Sequence, residues 1–229
     1  MNNQSIWYLE NIDVTGIFCP NKMEAHGDAV NHKKIKKGEY IYLPEETADR
    51  IFFLSEGRVK IGSYNEVGKE ITKAILNKGE VFGELALMGA ERRRDFAIAM
   101  EDTECCVVPA SQMKSLIRDH SGLSLFMMRI MGSRMLEMEQ RLESLVFKDS
   151  RTRIVEFLKN LADKKGQRVG YEMLVRKFLT HQEIANLTAT SRQTVTTVLN
   201  DLRNKNILTF NRRRLLIRDM EALQKEMAV

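Results

Sequence analysis

The chain has 229 residues, of which 43% are hydrophobic and 29% are charged, so its length fits two globular domains. No stretch approaches the ~18 consecutive apolar residues of a membrane span, and the N-terminus lacks the basic and then apolar order of a signal peptide. We therefore predict a cytoplasmic protein without a membrane partner. Residues 148–229 hold 17 Lys and Arg against 9 Asp and Glu, whereas residues 1–147 hold 19 against 22, which favours a polyanion as partner of the C-terminal part.

Residues 35–108 contain short apolar runs separated by turn sequences. The runs include YIYL, IFFL, VKIGSY, EITKAIL, FAIAM and CCVV, and the turns include SEGR, NEVGKE and NKGE. Many short strands with regular turns predict an antiparallel sandwich or barrel, which can enclose a ligand between its sheets.

The segment GELALMGAERRRDFAIA within these strands is a candidate phosphate pocket. Gly83 allows the backbone to turn closely, and Glu84 can accept hydrogen bonds from hydroxyl groups. Arg94, ten residues after Glu84, can pair with a phosphate. This is the layout of a sugar-phosphate pocket, although an internal ion pair between Glu84 and Arg94 also explains these residues.

The pattern becomes helical from Ser111, and a long helix is predicted to continue through Phe147. The apolar positions of this helix recur every three or four residues: Leu123, Phe126, Ile130, Met131, Met135, Met138, Leu142 and Leu145. Such a stripe predicts a contact with the same helix of a second copy, and hence a two-fold homodimer. The alternative is that the stripe packs only on its own sandwich.

A helix-turn-helix is predicted in LTHQEIANLTATSRQTVTTVLNDLRNKN. Thr180 and Glu183 have the spacing of a capping box, so the first helix begins at Thr180. Ser191 caps a second helix whose buried face carries Val195, Val198, Leu199 and Leu202. Arg192, Gln193 and Thr196 remain on the other face, where Arg can bond guanine and Gln can bond adenine in a major groove. The alternative is a helical hairpin with a solvated polar face.

The segments that flank this helix pair complete a predicted winged domain. A helix over TRIVEFLKNLA precedes it, with Ile154, Val155, Leu158 and Leu161 facing inward, and a strand-like segment comes before Thr180. After the pair, two apolar arms in ILTFNRRRLLI flank a basic turn. Its arginines, Arg212, Arg213 and Arg214, would bind phosphates without selecting sequence, unless they form only a solvated turn.

The GELAL segment with its downstream Arg, and SRQTV after the QEIA helix, resemble the family of the cAMP receptor protein and FNR, which are bacterial transcription regulators. The resemblance covers nearly all of the chain. It implies an α+β protein with a jelly-roll (double-stranded β-helix) sensor domain in residues 1–118, a dimerisation helix in residues 119–147, and a winged helix-turn-helix in residues 148–229.

Two departures from the family pattern disfavour cAMP as the effector. The receptor's phosphate-binding Arg-Ser pair aligns with Arg94 and Asp95, and a carboxylate there repels a cyclic phosphate. The Thr-Ser pair that holds adenine aligns with Met138 and Glu139. The effector candidates are therefore Gly83, Glu84, Leu85, Arg94, Asp95, Met138 and Glu139, and the effector itself stays unknown.

The cysteines do not support the iron–sulfur cluster that some relatives carry. Cys19, Cys105 and Cys106 number fewer than the four thiolates of a typical cluster and lack C-x-x-C spacing, so we expect buried reduced thiols. Haem remains an open possibility through His26, His32, His120 or the methionines, but no spacing identifies a ligand. We predict no metal cluster.

By resemblance, Arg192 matches the family's first base-reading Arg, whereas Gln193 and Thr197 replace its Glu and later Arg. The DNA-binding candidates are Ser191, Arg192, Gln193, Thr196, Thr197, Arg212, Arg213 and Arg214. We predict a homodimeric regulator that binds a palindromic promoter site under control of an effector other than cAMP, with RNA polymerase as a further partner. No nucleophile–base pair or P-loop indicates an enzyme. The alternatives are haem, redox or nitric-oxide sensing, and a cyclic-nucleotide-dependent protein-docking module.

Overall fold

The computed structural model describes residues 31–227, so Cys19 and His26 lie outside the described residues. The chain forms two compact units, one ending at Ser133 and the other beginning at Arg134. The division falls inside a continuous helix, Ser121–Phe147. Within residues 31–227, no helix combines the length and the apolar character that crossing a membrane requires.

The first unit is an antiparallel sandwich, which confirms the strand-rich prediction. One sheet has the order β1-β8-β3-β6 and the other has the order β2-β7-β4-β5. Their strands are β1 Asn31–Ile35, β2 Tyr40–Tyr42, β3 Arg50–Glu56, β4 Arg58–Tyr64, β5 Glu70–Asn77, β6 Val81–Phe82, β7 Phe96–Ala99 and β8 Thr103–Pro109.

Each sheet contributes apolar side chains to the core between the two sheets. Phe52 and Phe82 stack with their centroids 4.9 Å apart, and Val59 is fully buried beside them. The turn from β3 to β4 requires Gly57, whose φ is +90° and whose missing Cβ would lie 2.7 Å from the Asp102 carbonyl oxygen. Only glycine adopts this conformation without strain, so this tight connection requires Gly57.

Two helices cover the other face of the first sheet. α1 spans Ala110–Asp119 and α2 spans Ser121–Phe147. Leu123, Phe126 and Ile130 of α2 are buried in one cluster with Ile51 and Met113. The first half of the predicted dimer stripe therefore packs on its own sandwich, as the alternative interpretation held. The second half differs, because Met135, Met138, Leu142 and Leu145 are 48–70% exposed.

The second unit continues α2 with a helical domain and a small sheet. Its elements are α3 Ser150–Lys165, β9 Gln167–Val169, β10 Glu172–Arg176, α4 His181–Thr188, α5 Arg192–Asn204, β11 Leu208–Phe210, β12 Arg214–Ile217 and α6 Met220–Lys225. The sheet has the order β11-β12-β10-β9.

The inner face of α3 agrees with the predicted one at three positions and differs at the fourth. Ile154, Val155 and Leu158 are fully buried. Ala162 completes this face, whereas Leu161 is only half-buried. Directly after α3, Gly166 lies against Met173 of β10, and a Cβ at Gly166 would overlap the Met173 side chain.

Candidate nucleic-acid interface and effector site

The two predicted caps of the helix-turn-helix are present in the structure. Thr180 Oγ1 accepts a hydrogen bond from the Glu183 backbone N–H, and the Glu183 carboxylate accepts one from the Thr180 N–H at 2.7 Å. Ser191 Oγ accepts from the Thr194 N–H at 3.0 Å. Each side-chain cap contributes about 1 kcal/mol to helix stability. Between the helices, Ala189 turns the chain with a φ of +50°.

Helix α5 separates its buried and exposed residues as the periodicity predicts. Val195, Val198, Leu199 and Leu202 are at most 4% exposed. Ser191, Arg192, Gln193 and Thr197 are exposed, Thr196 is half-buried, and the first turn of α5 carries no acidic residue. The structure therefore places these five polar candidates together around the beginning of one helix.

The two threonines of this face direct their hydroxyl groups back to the helix. Thr196 Oγ1 donates to the Arg192 carbonyl at 2.9 Å, and Thr197 Oγ1 donates to the Gln193 carbonyl at 3.1 Å. With both hydroxyl protons used inside α5, each side chain offers its methyl group and the acceptor lone pairs of its oxygen for outside contacts. Arg192 and Gln193 remain the long polar side chains of this face.

The basic turn lies between β11 and β12. Asn211 Oδ1 accepts hydrogen bonds from the Arg213 N–H at 2.8 Å and the Arg214 N–H at 2.9 Å, which holds the turn closed. Arg212, Arg213 and Arg214 are all exposed. Arg214 belongs to strand β12 rather than to the turn, and it is opposite Arg176 of β10. The exposed cationic surface therefore extends from the turn onto the sheet.

Arg153, which the sequence did not single out, braces the helix-turn-helix from α3. Its Nε donates to the Thr188 carbonyl at 3.0 Å and its Nη2 donates to the Ala189 carbonyl at 3.2 Å. Its Nη1 donates to the Lys148 carbonyl at 2.8 Å. One guanidinium thus binds the last turn of α4 and the joint after α2. No local pattern signals this role, because the partners are 35 and 36 residues away in sequence.

In the first unit, the arginine beside Gly83 is Arg93 and not Arg94. Arg93 is 5% exposed, and its Nη1 donates to the Gly83 carbonyl at 3.1 Å. Its guanidinium lies 4.5 Å from the Tyr42 ring centroid. Gly83 has a φ of +78°, and a Cβ there would lie 2.9 Å from the Arg50 carbonyl oxygen. Arg93 and Gly83 therefore form one closely packed arrangement, whereas Arg94 is exposed.

The other effector candidates lie in different surroundings. Glu84 and Leu85 belong to a short 3-10 helix, Glu84–Met88, in which Glu84 is half-buried and Leu85 is 45% exposed. Asp95 pairs with Lys73 at 3.5 Å. Burial and then the Asp95 carboxylate raise the pKa of Tyr42 far above its usual range, so Asp95 is close to the Tyr42 hydroxyl. Met138 and Glu139 are exposed residues of α2 in the second unit.

The two described cysteines are buried free thiols, as predicted. Burial raises the pKa of Cys105 to about 12 and that of Cys106 to about 11. His32 and His120 are exposed. Among residues 31–227, no three His, Cys, Asp or Glu side chains are grouped so that they could hold a metal ion.

Comparison with known proteins assigns a family to both units. Residues 32–120 match the cyclic nucleotide-binding domain, and residues 152–226 match the Crp-like helix-turn-helix domain. The chain is 32% identical to the global nitrogen regulator of Synechocystis sp. over 83% of this chain and 85% of that protein. The chain belongs to the CRP/FNR family of transcription regulators. It is therefore a DNA-binding protein, and the confirmed α+β class is that of the family.

Two further relatives of this CRP/FNR regulator extend the comparison. The CRP-like cAMP-activated global transcriptional regulator of Mycobacterium tuberculosis is 28% identical over 82% of this chain and 84% of its own length. The solved structure of a CooA mutant from Carboxydothermus hydrogenoformans has a TM-score of 0.79 and 27% identity, covering 98% of this chain and 96% of that chain. The similarity thus includes both the sandwich and the helix-turn-helix.

Proposed function

We propose that this regulator binds a palindromic duplex as a homodimer, with α5 of each protomer in a major groove. The observation that carries the proposal is the exposed start of α5, which presents Arg192 and Gln193 with no acidic residue in the first turn. A carboxylate there would repel the phosphates that flank the groove. The N-terminal residues of a recognition helix are the ones that reach base edges.

Each exposed side chain of α5 suits a particular part of the groove. Arg192 has the donors for guanine, and Gln193 has the donor and acceptor for adenine. Thr196 and Thr197 have their hydroxyls bonded within the helix, so their methyl groups are available for the methyl group of thymine. Ser191 caps α5 and is exposed just before its first turn. We therefore expect a half-site different from those of relatives that carry Glu and Arg in place of Gln193 and Thr197.

The turn between β11 and β12 is the proposed phosphate clamp. Arg212, Arg213 and Arg214 are exposed next to a turn that Asn211 holds in shape. Contacts of this kind set the position of the protein on the duplex and make affinity depend on salt, but they do not distinguish sequences.

The exposed half of α2 is the proposed dimer contact. Met135, Met138, Leu142 and Leu145 are 48–70% exposed and follow helical spacing, so water contacts an apolar stripe unless a partner covers it. A second copy of the same helix supplies a matching stripe, and a two-fold dimer presents two α5 helices to a palindrome.

The sandwich is the proposed sensor, and its effector is a molecule other than cAMP. Asp95, which pairs with Lys73, lies near Tyr42, whose ring stacks with Arg93. Arg93 already binds the carbonyls of Gly83 and Arg50. A cyclic phosphate would meet a carboxylate beside an arginine whose terminal nitrogens are occupied. We expect calorimetric titration with cAMP to show no binding. An absorption spectrum of the protein after purification with haem supplied tests the alternative that the sandwich senses haem.

Selection of bound sequences from a random duplex pool, with and without cell extract, tests the function directly. We expect an enriched palindrome whose binding weakens steeply with salt and greatly exceeds binding to random duplexes. Equal affinity for selected and random duplexes would instead favour a protein-docking module. We place the regulator in the cytoplasm, with RNA polymerase as its further partner at promoters.

A further inference from the structure

His181 lies in the second unit, which we call the winged unit, where α4, α5 and the β11–β12 hairpin meet. It is the first residue of α4, and its Nδ1 is 2.8 Å from Oγ1 of Thr196 on α5. Its ring centroid is 5.6 Å from that of Phe210 on β11. One half-buried imidazole therefore contacts both α5 and the strand that leads into the basic turn.

The contacts of Thr196 Oγ1 are compatible with a charged His181. Thr196 Oγ1 lies 2.9 Å from the Arg192 carbonyl, to which it can donate, and 2.8 Å from Nδ1 of His181. Both ring nitrogens of a charged imidazole carry protons, so Nδ1–H then donates to Thr196 Oγ1 while the Thr196 hydroxyl donates to the Arg192 carbonyl. Protonation of the ring therefore preserves both contacts.

The charges around His181 come mainly from α5. Burial and then the Arg192 guanidinium lower the pKa of His181, so the free protein favours the neutral ring. Arg203, also on α5, lies 5.4 Å from the Phe210 ring centroid. On α4, the Glu183 carboxylate is held by the N–H and hydroxyl of Thr180. Strand β11, Leu208–Phe210, has no titratable side chain.

We propose that His181 takes up a proton when the regulator binds DNA, so that affinity rises as the pH falls. This inference rests on the proposed function, because it requires Arg192 and Thr196 to face the duplex. A duplex carries about one negative charge per 1.7 Å of its axis. Those phosphates reverse the unfavourable potential that Arg192 creates at the imidazole, so the charged ring is more stable in the complex than in the free protein.

The direction of the pH effect follows from linkage. The pKa of His181 is higher in the complex than in the free protein, so affinity is constant well above the pKa of the complex. It increases as the pH falls through that value and levels off below the pKa of the free protein. Each unit of difference between the two pKa values changes affinity about tenfold per protomer.

Fluorescence anisotropy of the full chain with the selected duplex, between about pH 5 and 8 at constant salt, tests the proposal. We expect the wild type to bind more tightly as the pH falls and the His181→Gln variant to lose that slope. His120→Gln is the matched control, because His120 lies in the first unit, and it should keep the wild-type slope. Equal slopes for wild type and His181→Gln would overturn the inference while leaving DNA binding intact.

A second measurement needs no substitution in the binding unit. The imidazole resonances of the wild-type protein can be titrated by NMR in the absence and presence of a random duplex at low salt. We expect the pKa of His181 to be higher with the duplex, and an unchanged or lower pKa would refute the proposal. A chain that binds neither selected nor random duplex at any pH would remove the proposed function itself.

Discussion

Replacing Arg153 with Met should destabilise the winged unit. The guanidinium donates to three carbonyl oxygens, those of Lys148, Thr188 and Ala189, at 2.8–3.2 Å. A hydrogen bond from a charged group contributes about 1.5–3 kcal/mol when well buried. Because Arg153 is only half-buried, we take about 1 kcal/mol for each bond, and thus expect a total loss of about 2–3 kcal/mol.

Scanning calorimetry of the full chain measures this loss, since it resolves the transitions of separate units. For a unit of this size, the expected loss lowers Tm by roughly 10–20 °C. Lys159→Met is the matched control, because Lys159 of the same helix makes an ion pair with Asp163 whose side chain is 49% exposed. We expect that change to cost at most about 0.5 kcal/mol. If Arg153→Met and Lys159→Met melt at the same temperature, the bracing role of Arg153 is wrong.

Three further predictions concern DNA specificity, assembly and acid stability. Arg192→Ala should cost about 1–3 kcal/mol of binding and relax one base position, and an unchanged sequence preference in a duplex selection would contradict this. Leu142→Glu should shift the proposed dimer to monomer in analytical ultracentrifugation, whereas the control Gln140→Glu, on another face of α2, should not. Hydrogen bonds to Lys205 and Arg151 lower the pKa of Glu226, so its stabilisation is present at neutral pH and is lost as the pH falls through the lowered pKa. The Glu226→Gln variant should therefore unfold at a lower temperature than the wild type at neutral pH, but it should lose less stability than the wild type as the pH falls. Thermal melts of both proteins from neutral to acidic pH measure this difference.

Local signals predicted the helix-turn-helix well. A cap involves residues only three apart, so the pairs Thr180–Glu183 and Ser191–Thr194 can be recognised from the sequence alone. The inner face of α5 likewise follows from helical spacing alone. These features could be predicted because the energy that decides them arises within one or two turns of helix.

The effector site was harder to predict because the backbone is irregular there. Strand alternation counted back from the buried Phe96 would place Arg94 on the inner side and Arg93 on the outer side. The structure instead bends at Arg94 and Asp95, and Arg93 pairs its backbone with Glu46. The bend shifts the alternation by one residue, so the buried arginine is Arg93. Three consecutive arginines give no sequence signal that reveals such a shift.

Periodicity also failed to identify what covers α2. The spacing of Leu123 and Phe126 continues without interruption into Met138 and Leu142, so the sequence shows one stripe. The first pair is buried against the sandwich and the second is exposed. An apolar stripe reveals which face of a helix avoids water, but the covering surface depends on contacts between segments distant in sequence.

The contacts of α5 bear on how an effector changes DNA binding. Ser191 caps its first turn, Arg153 binds the turn before it, and Arg151 forms an ion pair with Asp201 near its last turn. With both ends held, reorienting α5 inside the winged unit would break several hydrogen bonds at once, at about 1 kcal/mol or more each. A signal costs less if it moves α5 together with the rest of the second unit, in which Arg153 binds the Lys148 carbonyl and Lys148 forms an ion pair with Glu156. The same guanidinium that stabilises the unit thus makes it respond as a whole.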